Sequence, residues 1–324
     1  MIDSYIKSFF NLRTDTSRSR WNEATKFRAP HKPLLLLAVI DLIAQGIIET
    51  NFIELNPDLG ELFNIYWSRV MPPDQRPNII LPFYHLNSDK FWQHIPIPGM
   101  ETVLAATRQI RGVSQLKEIV LGVKLDDELF TLLCQEESRN LLRIVLIETY
   151  FAPELHAGLV EQGIINKESL KYSQALLEKS RHQQVKEDSD TEKYSPEVRD
   201  QAFRRVIVGM YDHRCAVCGI RMLTPDCHTV VDAAHIVPWS LTHNDTVQNG
   251  MALCRLCHWT FDEGLIAVSG SYAVLVSKQL SANSNIPSHI MTLSGRGIIG
   301  PAEQMLWPDM DALHWHHQKI FQKY

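Results

Sequence analysis

Through the first 165 residues apolar positions recur mostly at helical spacing. Tyr5, Ile6, Phe9 and Phe10 share one face of a helix predicted from Ser4 to Leu12. The stretch Pro30 to Gln45, PHKPLLLLAVIDLIAQ, is apolar around nearly its whole circumference. Gly46 follows, the residue favoured just past a helix end, so a buried central helix is expected. Asp58 to Met71 sets Leu59, Leu62, Phe63, Tyr66 and Trp67 on one face of a further helix. Between Pro72 and Pro98 the pattern changes. NIILPFYHLNSDKFWQHIPIP alternates apolar and aromatic residues around an Asn-Ser-Asp turn, which predicts a hairpin or paired short strands. Helices are expected again at Ser114 to Leu121, Asp126 to Gln135 and Glu137 to Tyr150, with Pro153 stopping the last.

From Asn166 to Tyr194 the chain becomes rich in charge, Gln and Ser, and only Leu170, Tyr172, Leu176 and Leu177 can pack. Residues 166–194 are therefore expected to be a charged linker, above all from Glu178 to Tyr194. A helix then opens at Ser195-Pro196, with Ser as cap and Pro at the first helical position, and runs to Tyr211. Thr229 to Ile236 alternates like a strand ending at Pro238, and a helix is expected from Ala252 onward. LIAVSG and YAVLVS are strand-like, and a last helix is expected from Asp309 to Gln322. The organisation predicted is α+β: a mostly helical domain over residues 1–165 with a small hairpin or sheet, the linker, and a second domain over 195–324.

Composition fits a globular chain: 45% hydrophobic and 21% charged residues, with no apolar run near the 18 to 20 or so residues that a membrane helix needs. The first residues, MIDSYIKSFF, carry no secretory-signal pattern, so a cytoplasmic protein is expected. A net charge of −5 argues against a protein that coats nucleic acid non-specifically, but allows a local basic site. One basic stretch stands out. Arg13, Arg18, Arg20, Lys26, Arg28 and Lys32 lie between Asn11 and Lys32 with Trp21 and Phe27 among them, a pattern suited to phosphate contact and base stacking or to a solvated loop.

The six cysteines favour metal over disulfides. Cys215 and Cys218, then Cys254 and Cys257, form two C-x-x-C pairs separated by 35 residues. Two such pairs can close a tetrahedral thiolate shell around one zinc with no open position, so the zinc is structural and holds together a small ββα unit. Cys134 sits at an apolar helical position and reads as a core residue; Cys227 is a reserve ligand or nothing. His258 directly follows the last ligand, with Asp262 four residues on. On a helix the two share a face and can reach one divalent cation, with His235 facing it from the strand.

Ala233-Ala234-His235-Ile236-Val237-Pro238, Asn249-Gly250, Cys254-x-x-Cys257-His258 and Phe261-Asp262-x-Gly264-Leu265 together resemble the HNH, or ββα-metal, endonucleases, in the variety found in McrA-like restriction enzymes. The resemblance spans Cys215 to Ile266. It implies His235 as general base on the attacking water, a catalytic Mg²⁺ or Mn²⁺ held by His258 and Asp262, and Asn249 bracing the loop that holds His235. Many members carry an acidic residue or second His directly before the general base, where this chain has Ala234. Asp232, two residues earlier, is the candidate for that ligand role, with a structural role as its alternative.

In the front half, Arg28-Ala29-Pro30-His31-Lys32-Pro33-Leu34-Leu35-Leu36-Leu37, then Leu81-Pro82-Phe83-Tyr84-His85-Leu86 and Phe91-Trp92, resemble the sulfur-binding domain that precedes HNH modules in restriction enzymes directed at phosphorothioate DNA. Sulfur in place of a non-bridging oxygen is larger and more poorly hydrated, so a reader needs an apolar dimple beside cations. Pro82, Phe83 and Tyr84 are the candidates for the dimple, and Arg28, His31 and Lys32 for the phosphate, with Arg108 as a further candidate. An ordinary hairpin core is the alternative for Pro82 to Tyr84.

The expectation is a modification-dependent restriction endonuclease that binds phosphorothioate-modified double-stranded DNA and cuts nearby, with structural Zn²⁺, catalytic Mg²⁺ or Mn²⁺, no membrane partner and a homodimer as one way to cut both strands. A reader of a modified base such as methylcytosine, and a non-catalytic zinc-containing DNA-binding protein, are the alternatives.

Overall fold

The computed structural model describes residues 2–181, 193–224, 227–281 and 288–322. Their contacts divide into two compact units, Met1–Lys167 with Thr224–His228, and Glu168–Leu223 with Thr229–Tyr324.

The first unit is built around α2 (His31–Ala44), which follows α1 (Ile2–Phe10) and is buried from Lys32 through Ile43. A helix apolar on every side needs neighbours on every side. They are α3 (Pro57–Val70), α4 (Ile80–His85) and, after β1 (Trp92–Pro96), α5 (Glu101–Ala106), α6 (Val113–Ile119) and β2 (Val120–Leu125), the helices α7 (Asp127–Cys134) and α8 (Glu136–Tyr150). The predicted face of α3 is buried as expected, and Pro57 at its first turn follows Asn56, whose side chain accepts from Leu59 N. On α1, Tyr5 and Phe9 enter the core while Phe10 is exposed.

The expected hairpin is absent. Ile80–His85 is helical, started by Asn78 Oδ1 accepting from Ile80 N and Leu81 N. Pro82 lies in the first turn, where a missing N–H leaves no helical bond unmade. The second half of the segment does form a strand, but β1 pairs antiparallel with β2, from Trp92↔Leu125 to Pro96↔Val120. The predicted helix Ser114 to Leu121 thus ends two residues early and hands over to β2. Cys134, expected in the core, is exposed: Leu129 and Leu133 take the inward positions of α7.

One buried polar network links four helices. Asp41 Oδ1 on α2 accepts from Arg143 Nη2 on α8 at 2.5 Å, and its Oδ2 accepts from Tyr66 Oη at 2.7 Å and Asn166 Nδ2 at 2.6 Å. Asn166 belongs to α9 (Pro153–Arg181), which Pro153 begins; the proline starts this helix after α8 has ended at Tyr150. Proline's fixed φ and lack of an N–H suit a first helical residue. The region expected as linker, residues 166–194, is helical through Arg181 with Leu170, Tyr172 and Leu176 buried, and residues 182–192 lie outside the described residues.

The second unit takes the end of α9 and then α10 (Pro196–Met210), whose Ser195 side chain accepts from Val198 N. β3 (Val231–His235) leads through α11 (Trp239–Thr242) to β4 (Gly250–Cys254), and the two strands pair antiparallel, His235 opposite Gly250 and Val231 opposite Cys254. Residues 252–254, expected to be helical, belong to this strand. α12 begins only at Arg255 and runs to Asp262. Gly264 closes it with φ +66°. β5 (Ile266–Val268) and β6 (Val274–Val276) pair antiparallel. Two short helices, α13 (Lys278–Ser281) and α14 (Ser288–Met291), precede α15 (Met310–Lys319), which Asp309 caps through Ala312 N. No helix among the described residues is long and apolar enough to cross a membrane.

Candidate active site

The two C-x-x-C pairs converge. The sulfur atoms of Cys215, Cys218, Cys254 and Cys257 all lie within 4.8 Å of one another, and Cys218 and Cys254 are 3.7 Å apart. Sulfurs about 2.3 Å from one tetrahedral ion stand about 3.8 Å apart, so the cluster already has the dimensions of an S₄ shell. Cys215 and Cys257 are fully buried, which suits a structural metal site. β4 delivers Cys254 as its last residue and α12 delivers Cys257 in its first turn, so an ion held there would tie the hairpin to the helix. Cys227 is buried outside this cluster.

On α12, His258 and Asp262 face one another across one turn, Nε2 to Oδ2 at 3.5 Å, with side chains 30% and 59% exposed. Two such side chains could serve a Mg²⁺-type cation, which keeps several waters and takes phosphate oxygens for the rest. Burial raises the Asp262 carboxyl and His258 opposes the rise. Asp232 does not join them. Its carboxylate is ion-paired with Arg204 of α10, and the four cysteines form the one gathering of three or more potential ligands among the described residues.

His235 ends β3. Its ring lies flat on Phe203 of α10, centroids 3.8 Å apart and planes 3° from parallel. Gly250 opposite it leaves room for α10: a Cβ there would stand 2.5 Å from Ile207 Cδ1 and 2.8 Å from Phe203 Cζ, so a larger residue would displace the ring on which His235 lies. Asn249, buried at 1% exposure, braces the turn beyond His235. Its Oδ1 accepts from Val237 N at 2.9 Å, and its Nδ2 donates to Val237 O and Asn244 O, both at 3.0 Å. One residue beyond Asn244 is Asp245, whose Oδ1 lies 3.0 Å from His235 Nε2. An Asp in the polar run THNDT gives no sign in the sequence of being buried against His235.

In the other unit the basic segment is a folded loop. Asp15 accepts from Trp21 Nε1 and Ser17 N, Ala29 N donates to Asp15 O, and Lys26 and Phe27 adopt left-handed φ of 47° and 58°. The predicted phosphate contacts fare unequally. Lys32 is 7% exposed and its ammonium is 2.5 Å from Asp89, with Ser88 as a second partner, so its charge is neutralised inside the unit. Burial lowers that ammonium from its usual range while Asp89 works against the shift. His31 packs between Trp21 and Trp67, and burial drives it down to about 4. It is neutral at pH 7 and offers no cation. Arg28 remains, its guanidinium over the Tyr150 ring at 5.6 Å, together with the exposed Arg13, Arg18 and Arg20.

Pro82, Phe83 and Tyr84 are all buried, so they form core and not an open dimple. Phe83 meets Trp92 edge to face at 5.6 Å, and its carbonyl accepts from Trp92 Nε1. The apolar residue that α4 presents to solvent is Leu81, 42% exposed. Tyr84 stacks on His94 and donates its hydroxyl to Thr107 O at 2.6 Å, which anchors the loop carrying the exposed Arg108.

Comparison with known families places both units. Residues 215–269 match the HNH endonuclease family, and residues 5–166, half of the chain, match the family described as ScoMcrA-like, DNA sulfur-binding domain. No curated protein matches the chain. A solved structure described as "Modification dependent TagI restriction endonuclease" is similar to it at 24% identity over 37% of this chain and 38% of that one, with a TM-score of 0.28. The chain thus matches well under half the length of that structure. With an HNH endonuclease domain behind its reader, the chain belongs to the ScoMcrA-like DNA sulfur-binding domain family.

Proposed function

We propose that the chain is a modification-dependent restriction endonuclease, binding phosphorothioate-modified double-stranded DNA through its first unit and hydrolysing nearby phosphodiester bonds with its second. The observation that carries this reading is the joining, in one chain, of a DNA sulfur-binding domain to an HNH domain that presents a pre-positioned His235 and an open His258–Asp262 pair. Sulfur recognition supplies the choice of DNA; the HNH domain supplies the cut.

His235 accepts the proton of the attacking water as the water oxygen bonds to phosphorus. The bond from phosphorus to the 3′ oxygen breaks, that oxygen takes a proton from solvent, and the ring returns its proton to solvent. A divalent cation, Mg²⁺ or Mn²⁺, held by His258 and Asp262 would neutralise charge on the phosphate and the departing oxygen. The metal of the four-cysteine site is zinc in this reading, and its part is to hold α12 against the hairpin. Asn249 keeps the chain on either side of the β3–β4 connection in one arrangement, which fixes where His235 stands.

On the reader surface Arg28 and Arg108 contact phosphate oxygens, with Arg13, Arg18 and Arg20 providing the local positive charge that the acidic chain as a whole lacks. Leu81 offers the weakly hydrated contact that suits sulfur. A comparison of binding and cleavage on matched duplexes, with and without one phosphorothioate, tests the proposal.

A further inference from the structure

Asp245 lies in a polar loop yet is 3% exposed. Burying a carboxylate is unfavourable unless other groups compensate it. Here they do: Oδ1 meets His235 Nε2 at 3.0 Å, Oδ2 accepts from Tyr172 Oη at 3.3 Å, and Arg199 Nη1 stands 3.8 Å away. Arg199 is itself buried, its guanidinium 3.9 Å from the centre of the Trp239 ring. The loop is pinned by Asn249, which grips Val237 and Asn244 with one side chain.

We propose that Asp245 is a positioning residue for His235, fixing the imidazole's tautomer and orientation so that Nδ1 is the nitrogen that accepts the water's proton. The proposal rests on the nuclease reading above. A carboxylate only accepts hydrogen bonds, so the nitrogen facing it carries the ring proton and the lone pair is left on Nδ1. Among the described residues Asp245 is the one hydrogen-bond partner of the ring, and the side chain is 23% exposed, which leaves Nδ1 for a ligand. Phe203 covers one face of the ring and holds its plane, and turning the ring over within that plane would lose the bond to Asp245. When Nδ1 takes the proton, the nearby carboxylate stabilises the imidazolium that forms, and Arg199 Nη1, 3.8 Å from Oδ2, offsets part of the cost of burying that carboxylate.

The test uses the full chain in three forms, wild type, Asp245→Asn and Asp245→Glu. Selective ¹⁵N labelling of histidine, with His235→Ala to assign the signal, reads the tautomer by NMR. Metal-stimulated cleavage is measured beside it, with DNA affinity and zinc content as controls. Expected are an Nε2-protonated neutral ring in the wild type, loss of that single tautomer in Asp245→Asn, and a fall in turnover of about a hundredfold or more at unchanged DNA affinity. Asp245→Glu restores part of the turnover. An Nδ1-protonated ring in the wild type, or full turnover by Asp245→Asn, overturns the proposal. A wild-type chain that cuts no duplex but shows the Nε2 tautomer, lost in Asp245→Asn, overturns the nuclease reading and keeps the contact.

Discussion

His258 and Asp262 stand one helical turn apart on α12, with Nε2 and Oδ2 3.5 Å from each other and both open to solvent. A pair so placed has little structural work to do, since neither side chain is buried in the core. His258→Ala is therefore expected to leave folding and DNA binding intact. Loss even of groups that merely orient metal ligands lowers activity by 10- to 100-fold, so loss of a ligand should reduce Mg²⁺-dependent plasmid nicking by about a hundredfold or more. Asp262→Asn keeps an oxygen donor and should lose less. Normal nicking by His258→Ala would remove this pair from the reaction.

The thiolate cluster has the opposite character. Cys254→Ser breaks a shell of four sulfurs lying within 4.8 Å of one another. Binding of a structural zinc is worth about 10–16 kcal/mol in small zinc domains, as much as the whole stability of an ordinary domain, about 5–15 kcal/mol. The variant should lose its zinc by metal analysis and lose the melting transition of the second unit. A chelator should do the same to the wild type. Unchanged metal content and melting would contradict a structural site.

Asp41 and Arg143 form the charged centre of the first unit. Arg143→Met leaves a buried carboxylate with neutral partners only, a change expected to destabilise by about 3–5 kcal/mol. Pairing it with Asp41→Asn removes the uncompensated charge, so the double variant should lose less than the sum of the two singles. Urea unfolding of the four forms measures that coupling; additive losses would show that the pair does not interact.

His31 gives a pH dependence with a definite sign. Burial among Trp21 and Trp67 lowers it from 6.5 to about 4, so between those values the unfolded chain binds a proton that the folded chain refuses. Its contribution is complete above pH 6.5 and is lost as the pH falls toward 4, on the order of 3 kcal/mol over the window. His31→Phe should flatten the fall in urea midpoint between pH 7 and 4.5. Parallel curves for the two proteins would mean that His31 titrates in the fold as it does in the unfolded chain.

The cysteine framework of the second unit is legible because its signal is spacing alone, C-x-x-C twice, and the His258–Asp262 pairing is legible because α12 forms where a helix is expected. Residues 252–254 read as the start of a helix and lie in β4, yet Cys254 still meets the other three thiols. The Ser195-Pro196 start and the apolar run of α2 were legible for the same local reason. What sequence could not show was direction. Alternating aromatics made Asn78 to Tyr84 look like a strand, when Asn78 caps a helix whose Pro82, Phe83 and Tyr84 turn inward and leave Leu81 outside. Lys32 sits in a basic run but meets Asp89, 57 residues on, and a pairing of that range leaves no trace in a local pattern. Asp245 was hidden for the same cause, since its partners Tyr172 and Arg199 come from other helices. Asp232 was chosen by strand period alone, which says nothing of the Arg204 that pairs with it.

The most direct test compares two duplexes identical except for one phosphorothioate, incubated with the full chain and Mg²⁺. The account predicts tighter binding of the sulfur-containing duplex and cleavage confined to it. Equal affinity for the two duplexes with equal cutting of both would contradict the reading of the first unit as the part that chooses the DNA.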